Sequence, residues 1–222
     1  MAQLKGHAVL LADTADPARS GLARATRSDG SAQPGPRATT RMRFSWRAQA
    51  LVARAETAAP ALEVSGVPSP SFWLPAGHRV GLTVVDVAWD AWRLAVNPAL
   101  GPGAWLAPFP SGTHPVLVVR ASVPGVVHAE QVLARFEQWS RHGQVVLPQQ
   151  LVVIGVRKWP GRVLASAGPR MQALMPAAVF VPSDSGAAVD GVTAAVTPDR
   201  LRRPMQPLID CWLQVNARPL SR

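Results

Sequence analysis

Between Pro75 and Thr83 the chain reads Pro-Ala-Gly-His-Arg-Val-Gly-Leu-Thr, the stretch whose residue types come closest to an anion-binding loop. Glycines let backbone N–H groups approach phosphate oxygens, and a helix N-terminus adds partial positive charge. Gly77, Gly81 and Thr83 suit that geometry where a strand enters the turn and a helix leaves it, and Arg79 adds a cation. A second chemistry is carried by arginines. Arg41, Arg43 and Arg47 recur along one short segment, and Arg200, Arg202 and Arg203 form the densest basic cluster. Both sets suit nucleic acid phosphates, and the second also suits acidic lipid; a solvated surface is the plain alternative.

Other constellations are thinner. Asp86 and Asp90 lie a helical turn apart, which suits either a shared metal or a solvated face opposite Leu82, Val85 and Trp89. His78, His114, His128 and His142 lack metal-ligand spacing. Ser122 has no Gly-x-Ser-x-Gly context and reads as a helix cap. A single cysteine, Cys211, excludes an internal disulfide framework and a cysteine-rich zinc site.

Composition bounds the partners. The 222 residues carry a formal charge of +10, and among the basic residues only Lys5 and Lys158 are lysine. That excess attracts polyanions, although arginine-for-lysine usage with abundant Ala, Pro and Gly is also the mark of a GC-rich genome. The apolar run 8–12 is cut by Asp13 and Asp16, too short for a secretory signal. No stretch reaches the roughly 18–20 apolar residues that span a bilayer. The expectation is a cytoplasmic protein without a membrane span.

The elements that must position these residues follow from periodicity. Residues 1–69 are biased to Ala, Pro, Arg and Ser, so a basic, mostly disordered arm is expected there. Within it, Phe44, Ala48, Leu51 and Ala55 recur at helical spacing and predict a short helix over 42–56. Residues 70–222 are expected to form one α/β domain. Ser71–Leu74 reads as a short strand and Val80–Val96 as an amphipathic helix, followed by a long loop to His114. Strands are predicted at 115–120, 151–156 and 177–181, and their uninterrupted apolar runs are those of a parallel sheet. A helix capped by Ser122, with Pro124 in its first turn, is stopped by Gly143. A second, broken at Gly168-Pro169, covers 162–174, and a last one covers 205–215.

This order resembles the ParA/MinD branch of P-loop ATPases, across about Ser71 to Val215. The resemblance rests on Val80-Gly81-Leu82-Thr83, on Val116 to Gly125 and on Val181-Pro182-Ser183-Asp184. It implies a parallel sheet of about four to six strands flanked by helices. It also implies an ATP site at Gly77, Arg79, Gly81 and Thr83, with Pro182 and Asp184 beside the base. The departures are specific. Gly77 stands for the signature lysine, His78 and Arg79 for two glycines, and Leu82 for the phosphate lysine. No strand in 97–115 ends in Asp to support Mg²⁺, and Gly155 stands where the family often has asparagine. Nucleotide would be held weakly and not hydrolysed, with no catalytic residues and no certain cofactor.

Two functions fit these residues. One is a catalytically degenerate ParA/MinD-like protein that regulates or positions a plasmid, phage or conjugative element through a protein partner, with a homodimer compatible. The other is a basic nucleic-acid-associated adaptor using Arg41, Arg43, Arg47, Arg200, Arg202 and Arg203.

Overall fold

The computed structural model describes residues 8–94, 100–109 and 112–216. It is α/β and divides into two compact units. The first comprises Met1–Trp105 with Asp190–Val196, and the second Leu106–Val189 with Thr197–Arg222.

The first unit is built on a mixed five-stranded sheet, where the sequence suggested a disordered arm. Its strands are β1 (Val9–Asp13), β2 (Ser31–Pro34), β3 (Thr40–Arg47), β4 (Ala50–Thr57) and β5 (Leu82–Asp86). The spatial order is β2-β3-β4-β1-β5, with β1 parallel to both neighbours and β3 antiparallel to both of its own. The expected helix over 42–56 is therefore a β-hairpin. Met42, Phe44 and Trp46 alternate with Arg41, Arg43 and Arg47, a period of two that overlies the helical spacing. A two-residue loop, Ala48-Gln49, reverses the chain, with Ala48 at φ 53° as a tight hairpin turn demands.

One face of this sheet carries the core: Leu10 and Ala12 of β1, Met42 and Phe44 of β3, and Leu51, Ala53 and Ala55 of β4. Small alanines let the neighbouring segments come close. Trp73, fully buried, closes the core from outside the sheet. Its indole N–H donates to the Pro68 carbonyl at 2.9 Å, and its ring meets Trp105 edge-on at 6.5 Å. Ser71–Leu74 is thus not a strand: Pro70–Phe72 is a 3-10 turn, to which the prolines at 68 and 70 bias the chain. The helix predicted over 80–96 is also replaced. Leu82–Asp86 pairs with β1 as β5, and among the described residues of that span Ala91–Leu94 is helical (α1); Ala95 and Val96 lie outside the described residues.

The second unit follows its sequence signals closely. A three-stranded parallel sheet, β6 (Val116–Arg120), β7 (Gln150–Ile154) and β8 (Val179–Val181), runs in the order β6-β7-β8. Helix α2 (Val123–Arg141) starts at Ser122, whose hydroxyl accepts the Gly125 N–H at 3.1 Å. It buries Val126, Ala129, Val132, Leu133 and Phe136 on one stripe. Helices α3 (Gly161–Ala165) and α4 (Pro169–Leu174) are separated at Gly168, and α5 (Ser185–Asp190) follows β8. Glu130 of α2 caps α4, accepting the Met171 N–H at 2.9 Å and binding the Arg170 side chain at 3.1 Å. Helix α6 (Asp199–Asn216) begins at 199 rather than at the expected 205, and the Pro198 carbonyl accepts the first N–H bonds from Leu201 and Arg202. The parallel sheet thus has three strands rather than four to six, and the remaining strands belong to the mixed sheet of the first unit. No described helix is long and apolar enough to cross a membrane.

Candidate functional site

The Pro75–Thr83 turn does not have the geometry of a phosphate loop. The segment leaves a 3-10 turn and enters strand β5, so it leads into a strand where a phosphate loop leads into a helix N-terminus. The Gly81 N–H donates to the Ala8 carbonyl at 2.9 Å, and Thr83 lies inside β5, in register with Leu10 of β1. Backbone groups that would hold phosphate are spent on the sheet. Gly77 has another use. At φ 79° it occupies the third position of a turn closed by the His78 N–H on the Pro75 carbonyl at 3.1 Å. That turn needs a left-handed residue there, which glycine supplies without strain. It leaves His78 and Arg79 exposed, with the His78 ring 6.4 Å from that of Trp46.

Pro182 and Asp184 follow β8 as expected, but the Asp184 carboxylate is already engaged. It accepts the Ala187 N–H at 2.7 Å, capping α5, and is ion-paired with Arg200. The Arg200 hydrogen bond, then the Ala187 N–H, hold this carboxyl below its ordinary value.

The arginines singled out by sequence separate by what surrounds them. Arg43 forms a forked pair with Glu56, its second bond at 3.0 Å. Arg47 donates to the carbonyls of Thr193 and Ala195 at 3.0 and 2.8 Å, fastening that segment to the first unit. Arg200 is held by Asp184, and Arg202 and Arg203 both by Asp199. Of the six, Arg41 is exposed and makes no ion pair among the described residues.

Two groups of residues were missed. The first is a row of charges across the first unit's sheet. Asp86, Asp13, Arg54 and Arg43 are consecutive register partners on β5, β1, β4 and β3. Asp13 is 1% exposed and is satisfied by the Ala15 N–H at 3.0 Å and the Ser20 hydroxyl. A small cleft lined by Asp13, Ser20, Arg54 and Glu56 opens beside it. Partial desolvation raises the Asp86 carboxyl above its usual value, and Asp13 adds to that effect, although the residue as a whole stays exposed. Asp86 thus ends a strand rather than sharing a helix with Asp90. No group of three His, Cys, Asp or Glu able to hold a metal occurs among the described residues.

The second group is a set of cations at the carboxyl end of the parallel sheet. Arg120 is the last residue of β6, in register with Ile154. Arg157 and Lys158 follow β7 after Gly155, and Arg162 lies in the first turn of α3. All four are exposed and make no ion pair among the described residues. Helix α2 also begins at this end and adds the partial charge of its N-terminus. Ligands of open parallel sheets bind at this edge. The signal was present in sequence: one apolar run ending in Arg120, and a second followed, after Gly155-Val156, by Arg157-Lys158. No family model, curated protein or solved structure matches this chain.

Proposed function

We propose that the protein is a nucleic-acid-associated adaptor whose second unit grips a phosphate backbone through Arg120, Arg157, Lys158 and Arg162. The observation that carries this reading is the placement of four exposed cations, none tied to a carboxylate among the described residues, at or after the carboxyl ends of β6 and β7 in one parallel sheet. Most of the +10 excess also falls in this unit. Unpaired cations carry counter-charge that a polyanion displaces, whereas Arg43, Arg200, Arg202 and Arg203 must first give up an internal partner.

The test is DNA binding by the full chain as a function of salt. Each phosphate contact contributes about 0.7–0.9 to the slope of log affinity against log salt. Replacing Arg120, Arg157 and Lys158 together by alanine is expected to lower that slope by about 2 to 3. An unchanged slope refutes the assignment of this edge.

A second reading, the ParA/MinD-like regulatory protein, keeps one support: the alternation of parallel strands and helices from β6 to β8. It loses its phosphate loop, because the Gly81 N–H is taken by the Ala8 carbonyl and Thr83 belongs to β5. Nucleotide-dependent thermal stabilisation of the chain would favour it.

A further inference from the structure

Trp46 continues the core-facing alternation of Met42 and Phe44, but the core ends before it and the indole is 53% exposed. The type of turn at Pro75–His78, set by Gly77, brings the His78 ring 6.4 Å from the indole at a 40° tilt. Arg79, next in the chain, is exposed and makes no ion pair among the described residues. A half-exposed indole with a second ring beside it and an exposed arginine next in the chain to that ring has the chemistry of a base-stacking platform: the rings offer π-surface to a nucleobase, and the cation attracts the adjoining phosphate. Duplex DNA keeps its bases stacked on one another, so such a platform takes unpaired bases.

We infer that the first unit carries a stacking site for single-stranded nucleic acid, formed by Trp46 and His78 with Arg79 as its phosphate contact. The inference rests on the nucleic-acid reading above and narrows its ligand to a strand with unpaired bases. It also gives a use to the turn whose glycines do not cradle phosphate.

The experiment compares two probes on the full chain: an oligothymidylate of about 12 nucleotides, and heparin, a polyanion without bases. Trp46→Ala is expected to weaken oligothymidylate binding about tenfold and to leave heparin binding within about twofold, while Trp46→Phe retains most of the affinity. Because Trp46 lies largely outside the core, the variants are expected to keep the natural far-UV spectrum; His78→Ala, which removes only the buttress, gives a smaller loss of the same kind. Oligothymidylate affinity unchanged in Trp46→Ala, or lost equally for both probes, overturns the stacking site. A natural protein that binds heparin but not oligothymidylate also overturns it while leaving the polyanion reading standing. Failure to bind either probe sinks that reading itself.

Discussion

Phe44→Ala decides between a sheet and an unstructured arm. Phe44 is 4% exposed on β3, opposite Ala53, and shares the core with Met42, Leu51 and Leu10. Its truncation removes a full aromatic side chain from a face lined by small alanines that cannot swing in to fill the space. Phe-to-Ala changes at such sites cost about 3–5 kcal/mol, the transfer term plus the residual cavity. Domains of this size are stable by about 5–15 kcal/mol, so the first unit would lose a large share of its margin. Had residues 42–56 been a fraying helix in a disordered arm, the same change would cost within about 0.5 kcal/mol. Arg41→Ala, one residue from the core-facing Met42 but exposed, is the control and is expected to stay within that small range. The assay is urea unfolding with backbone hydrogen exchange read at Leu10–Ala12 and Leu51–Ala53. These amides report the first unit alone, so the second unit does not blur the transition. A Phe44→Ala loss no larger than that of Arg41→Ala refutes the sheet.

Gly30 stands at φ 73°, where an added Cβ would lie 1.9 Å from the Phe44 carbonyl oxygen, so Gly30→Ala is expected to cost about 2–4 kcal/mol. Gly77→Ala, with φ 79° but open space around it, should cost only about 1–2 kcal/mol; equal losses in urea unfolding would refute the steric account. Asp86 has a folded-state pKa above its unfolded one, so the stabilising contribution of its protonated form is complete below the ordinary Asp value and is lost as pH rises through the raised one. Asp86→Asn keeps the acceptor for the Ala88 N–H and should flatten this acid-side slope only slightly, because Asp86 is exposed and solvent screens it; a slope steeper than that of the natural protein would contradict the assignment.

The amino-acid sequence by itself determined the second unit. Uninterrupted apolar runs of four residues, a serine cap at 122, a proline in the first turn and a glycine stop at 143 each act within a few residues of where they sit. Local signals of that kind survive whatever the rest of the chain does. The first unit was not legible in the same way. The helical spacing of Phe44, Ala48, Leu51 and Ala55 and the strand alternation of Met42, Phe44 and Trp46 are both present in one segment. Only pairing with a distant partner decides which prevails. That partner is β1, whose Leu10 meets Leu51 on one side and Thr83 on the other, so three separate pieces of chain must come together before any of them is a strand. The same holds for the candidate sites. Residue type marks Arg43, Arg200 and Arg120 alike as cations. Glu56 and Asp184 neutralise the first two, and Arg120 projects from a strand end with no carboxylate in reach among the described residues. Charge is written in the sequence, but whether it is available to a ligand depends on which side chains the fold brings within a few ångströms of it.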